Sequence, residues 1–280
     1  MKSVYKIPQK IKCLTDERKR KSIPLFNIVM PVLLFLMLQY ESFHTIFSSP
    51  ESMSKRLKNC LSRKKHTGET EYFYRSVVCM IIGKSPHVIL GQEMLKPRDG
   101  SGKDEGELTG GKRLIERLKK RHGHFADVIV ADALYLNAPF INTLKENGLE
   151  GCPYKLRVVR YHEQWKENGK ETERFMWLVT TLEAADYRVL WEMMHRRWDI
   201  EENGFHQLKT YYHAKHCYCR DAVETIFNLI IIGFNVRELY LYRRSRNFAG
   251  SGISRKSINR IFCDDLLTEK VKQILYEKGG

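Results

Sequence analysis

No apolar run in this chain of 280 residues reaches the ~20 that a membrane-spanning helix needs. The strongest, residues 26–40 (FNIVMPVLLFLMLQY), follows a basic cluster at 18–21 but contains Asn27, Pro31 and Gln39. It is expected to be a buried helix rather than an anchor. Cysteine is scarce and odd in number, seven in all, and no secretory cleavage signature accompanies it, which excludes a disulfide framework. A cytosolic location follows as the default. There is no internal repeat. Lys103 sits among glycines, but the Gly-Lys-Ser/Thr order of a phosphate loop is missing. His213, His216, Cys217 and Cys219 are zinc-ligating types, yet they lack paired spacing and a second pair, so packing explains them better. Acidic residues are also short: 33 Asp and Glu face 48 Lys and Arg, a formal net charge of +15. Such an excess favours nucleic acid or an anionic surface as partner, the plain alternative being a merely basic soluble protein.

What is present is the composition of a folded chain, 42% hydrophobic and 29% charged, which excludes wholesale disorder. Residues up to about 61 read as helical, with a second short helix capped near 48–51. Residues 72–82 (YFYRSVVCMII) are rich in aromatic and β-branched types and predict a strand, and a turn at 83–86 leads to a second strand, making a hairpin. A polar loop at 96–106 precedes an amphipathic helix at 106–121 with Leu114, Ile115 and Leu118 inward. Residues 127–131 (DVIVA) predict a short buried central strand ending on Asp132, with a helix at 137–147 after it. Two further strands are expected at 153–160 and 175–181, then long helices at 186–212 and 222–242, and a last one at 264–276. Trp191 and Trp198 lie seven apart on one helical face, which predicts core positions. This is an α/β layout, a mixed sheet covered by helices.

Residues 196–209 (RRWDIEENGFHQLK) carry the chemistry. On a helix Arg197 and Glu201 are four apart and face the same way, so a guanidinium can steady a carboxylate. Open α/β sheets place their sites at the carboxyl ends of strands, where Asp132 is expected, although alone it reads equally as a helix cap. Two-metal phosphodiester chemistry needs carboxylates converging from different elements, and Asp132 with Glu201 would supply two. Basic residues interleaved with tyrosines at 209–219 and 240–246 read either as phosphate contacts or as solvated faces.

Residues 128–140 (VIVADALYLNAPF) and 196–209, with weaker support at 106–115 (GELTGGKRLI), resemble the DDE transposases of bacterial insertion sequences, in the group with a Tyr-Arg-Glu-Lys signature. The resemblance implies a ribonuclease-H-like fold with an amino-terminal helical region (1–65), a transposase domain (66–245), and a linker with a carboxyl-terminal helix (246–280). It implies Asp132 as the second aspartate of the catalytic triad, Glu201 as its glutamate, and Arg197 and Lys209 as the signature arginine and lysine, the lysine on a DNA phosphate. It further implies two Mg²⁺ or Mn²⁺ ions, double-stranded DNA as partner, a homodimer as the assembly to look for, and a nucleoid-associated protein.

Three departures accompany it. Lys209 stands one residue further from Glu201 than the family's spacing, whereas Glu202 has that spacing to Lys209 but not to Arg197. Met194 stands where the signature tyrosine belongs. No acid before the hairpin matches the first aspartate, since Asp16, Glu51, Asp99 and Asp104 are all misplaced for it. The expected protein is therefore an internally shortened transposase that binds DNA with impaired chemistry. Its rivals are a non-catalytic DNA-binding remnant or regulator and, on residues 26–40 alone, a membrane-anchored protein.

Overall fold

A computed structural model describes residues 6–16, 23–39, 60–97, 103–149, 156–215, 222–248 and 252–266. The expected short helix near 48–51, the residues of the last helix beyond 266, and His216, Cys217 and Cys219 lie outside them. The chain is α/β, built of helices and small antiparallel sheets, consistent with the expected ribonuclease-H-like class. It divides into two compact units, Met1–Pro50 with Gln207–Gly280, and Glu51–His206.

The first unit is helical among its described residues. α1 (Ile7–Lys12) and α2 (Leu25–Leu38) come from the amino-terminal side, and α6 (Gln207–Tyr211), α7 (Val223–Phe248) and α8 (Arg255–Leu266) from the other. The apolar run is thus helical as far as Leu38, and it buries Leu33, Leu36 and Met37. Leu33 and Met37 join Ile11, Val236, Tyr240 and Phe262 in one core. Gly233 faces α2 there, and a Cβ at this position would just reach contact, 3.4 Å from the Cβ of Leu36 and from the Met37 amide nitrogen. Among the described residues no helix is long and apolar enough to cross a membrane.

Among its described residues the second unit holds six strands in three two-stranded antiparallel sheets. β1 (Leu61–Lys64) pairs with β2 (Thr70–Phe73), β3 (Ser76–Met80) with β4 (Ile89–Met94), and β5 (Arg157–Glu167) with β6 (Lys170–Thr180). The strand expected over 72–82 is therefore two strands, broken at Tyr74 and Arg75, while the hairpin across 83–86 is found. β5 and β6 are longer than expected because Asn168 and Gly169 both adopt positive φ, 51° and 79°. That is the two-residue primed turn, whose twist lets both strands run on in register from Glu167↔Lys170.

Residues 127–131 are not a strand. They run without ladder partners and leave Val128 41% exposed. A short apolar run becomes a central strand only when strands flank it, and among the described residues none pairs with this one.

The β3–β4 hairpin is covered by α3 (Glu107–His122), whose Leu114, Ile115 and Leu118 are buried as the periodicity predicts. Gly91 lets α3 approach, because a Cβ there would stand 3.1 Å from Leu118 and 3.3 Å from Leu114. A charged network fastens the same contact. Arg113 pairs with buried Glu105, with Glu93 at 3.0 Å and with the Met94 carbonyl at 3.2 Å, while Arg117 reaches Glu93 at 2.7 Å. Burial alone would raise the Glu105 carboxyl, but Arg113 and the Lys96 amide outweigh it and hold it below the usual range.

The helix expected over 186–212 is interrupted. α5 (Tyr187–Arg196), capped by Asp186, gives way at Arg197 and Trp198 to a π-helix at Ile200–His206, which α6 follows. Trp191 and Trp198 are 41% and 42% exposed rather than core. Trp191 instead donates its indole N–H to Glu163 of β5 at 2.8 Å, and Arg174 and His195 converge on the same carboxylate.

Candidate active site

Asp132 opens a 3-10 turn, Ala133–Tyr135, in extended backbone conformation, and its side chain caps nothing. The cap of the next helix, α4 (Ala138–Glu146), is Asn137, whose Oδ1 accepts from the Phe140 amide at 3.0 Å. Freed of the capping role left open by the sequence, the Asp132 carboxylate turns to Arg197. Nη1 of Arg197 forms an ion pair with Asp132 Oδ1 at 2.7 Å and donates a hydrogen bond to Glu201 Oε1 at 3.1 Å. Three of the four predicted site residues are thus brought together, with a single nitrogen between the two carboxylates. The i,i+4 pairing of Arg197 with Glu201 survives the change of winding, and it is Glu201, not Glu202, that carries the contact.

Two neighbours hold this arrangement that sequence reasoning did not assign to the site, Trp198 having been expected in the core. The Trp198 ring lies under the guanidinium, 4.5 Å from its carbon, as a cation–π support. Asp199 accepts from the Gly83 amide at 2.9 Å, tying the β3–β4 turn to the start of the π-helix. Gly204 is buried against Met80, whose sulfur would stand 3.0 Å from an added Cβ.

Tyr135 closes the turn that Asp132 opens, its amide donating to the Asp132 carbonyl at 2.9 Å. Its ring packs on Gly111 of α3, where a Cβ would come within 2.9 Å of Cε1, and meets Phe140 edge-on at 4.9 Å. Burial, then the charges of Glu107 and Asp132, push its phenol up to about 12, so it stays protonated. Glu107 itself is paired with Arg75 at 2.8 Å. Tyr135 is beside Asp132 because it lies three residues on in the same turn, whereas neither it nor Glu107 has a spacing signal to Glu201.

Lys209 lies on α6, exposed, in the other compact unit. A π-helix carries an extra residue per turn relative to an α-helix. The π winding at Ile200–His206 lies between Glu201 and Lys209, where the resemblance implies one residue fewer.

As arranged, these residues do not fit a divalent ion. Hard cations take several oxygens at once, and here two carboxylates already share a guanidinium nitrogen. Among the described residues no group of three or more His, Cys, Asp or Glu side chains is placed to hold a metal. β1, the first described strand, reads Leu-Ser-Arg-Lys and carries no acid. Asp104 is engaged with the Ser62 amide at 2.8 Å.

A family model described as the transposase DDE domain matches residues 54–236. No curated protein matches the chain, and no solved structure does.

Proposed function

Because the chain belongs to the DDE transposase family, whose members generally use divalent metal ions, we propose that it binds DNA as an insertion-sequence transposase of the Tyr-Arg-Glu-Lys group whose strand chemistry is impaired. In this reading Asp132 and Glu201 are the remaining carboxylates of the triad, Arg197 belongs to the same site, and Lys209 contacts a backbone phosphate. The DNA is the double-stranded end of a transposon. A net charge of +15 supports a polyanionic partner, since neutralised phosphates release counterions on binding.

The observation that carries the impairment is the single guanidinium bonded to both carboxylates. A catalytic metal pair needs those oxygens for itself. The same bridge favours a second reading, a remnant kept as a DNA-binding regulator without chemistry.

The test is fluorescence anisotropy with a labelled duplex over a salt series, beside a cleavage assay on terminal-repeat DNA with Mg²⁺ or Mn²⁺. Binding should weaken linearly in log–log form as salt rises, and no strand should be cut. Absence of binding at low salt would remove the DNA reading. Robust cleavage that Asp132→Ala abolishes would remove the impairment.

A further inference from the structure

Arg197 reaches both carboxylates through one nitrogen, from a side chain only 21% exposed that is braced on the Trp198 ring. Asp132 and Glu201 come from unrelated elements, a 3-10 turn and a π-helix, and in the described structure what joins them is this cation. A divalent ion bridging Asp132 Oδ1 and Glu201 Oε1 would have to sit where Nη1 now lies, because its ligand oxygens stand at ~2.0–2.6 Å. The two cannot occupy the place together, and like charges at such separation oppose each other.

We infer that the Arg197 guanidinium is the resident counter-ion of the Asp132–Glu201 pair, so that the pair's capacity for a divalent cation is latent and emerges when the charge at Arg197 is removed. The carboxylates have been turned from a potential metal site into an ion clasp. With the guanidinium gone two carboxylate charges stand unneutralised side by side, and these would draw in a divalent ion. Trp198 adds preorganisation, holding the guanidinium over its ring. The inference rests on reading Asp132 and Glu201 as the family's carboxylates, but it requires neither DNA nor turnover.

The experiment uses the full chain and Mn²⁺ alone, following the free-ion signal by electron paramagnetic resonance. Arg197→Gln should bind one Mn²⁺ at least about tenfold more tightly than the native protein. Arg197→Lys, which keeps a cation on a flexible stem, should stay near the native affinity. Asp132→Asn placed in the Arg197→Gln background should erase the gain. No gain in Arg197→Gln, or a gain that survives Asp132→Asn, overturns the inference.

A second measurement needs no change at Arg197. About 10 mM Mg²⁺ should leave the thermal midpoint of the native chain unmoved, because a ligand stabilises only a state that binds it. A rise that disappears in Asp132→Asn would show that the pair already takes the ion, and would overturn the inference even if Arg197→Gln fails to fold. Since none of these samples contains DNA, failure of the DNA-binding reading is scored separately.

Discussion

Replacing Arg113 by methionine should cost the protein roughly 3 kcal/mol of stability, the lower end of the range for stripping one partner from a buried ion pair. The side chain belongs to α3 and fastens it to β4. It bonds both oxygens of Glu105, one oxygen of Glu93 at 3.0 Å and the Met94 carbonyl at 3.2 Å. Glu105 has a side chain only 3% exposed, so without Arg113 its charge would keep chiefly the Lys96 amide at 2.8 Å. That remaining bond, and the 27% exposure of Arg113, argue for the lower end of the range. Methionine retains most of the stem's volume, which confines the loss to the polar contacts. A change of that size corresponds to a thermal midpoint lower by roughly 6–12 °C.

The pH dependence gives the sharper check. Glu105 in the folded protein lies below its ordinary value of 4.5, so its contribution is present above that value and is lost as pH falls through the folded one. In Arg113→Met the same carboxyl, buried without its cation, gains from protonation instead. The gap between the two proteins should therefore be wide at neutral pH and narrow below about pH 4.5. Urea titrations followed by circular dichroism at both pH values measure it. A gap under about 1 kcal/mol at neutral pH, or one of equal size in acid, would refute the reasoning.

Two further changes test the frame around the site. Gly111→Ala should lower the thermal midpoint even though alanine gains ~1 kcal/mol of helix propensity, because its Cβ would press on the Tyr135 ring at 2.9 Å; a stabilised variant would show that the ring yields freely. Asn137→Ala should cost about 1 kcal/mol by leaving the Phe140 amide uncapped, and no loss in chemical denaturation would mean that another group takes over the cap.

Much of the site was legible because it is local. Arg197 and Glu201 are four residues apart, and that spacing alone predicts their contact through the change from α to π winding. The inward face of α3 was readable from its period for the same reason. Asp132 was singled out as the end of a strand expected at 127–131, which does not form, and by the resemblance; its ion pair with Arg197 could not be read, since no pattern relates a 3-10 turn to a helix far along the chain. The expected central strand at 127–131 failed for the complementary reason: strand formation depends on neighbours that the segment itself does not specify. The β5–β6 turn was a missed opportunity. Asn168-Gly169 between two alternating runs is a hairpin signal, and weighing it would have extended both strands to their true length.

The pairing of α2 with α7 has a consequence for the order in which the chain can fold as it is made. One compact unit draws on Met1–Pro50 and Gln207–Gly280, whereas the other, Glu51–His206, is continuous. On a ribosome adding roughly 5–20 residues per second, the ~185 residues between Leu38 and Val223 take roughly 10–40 s. The continuous unit is complete within that interval. The apolar helix that buries Leu33, Leu36 and Met37 must wait through it without the helix that covers it, a natural client for a chaperone until α7 emerges.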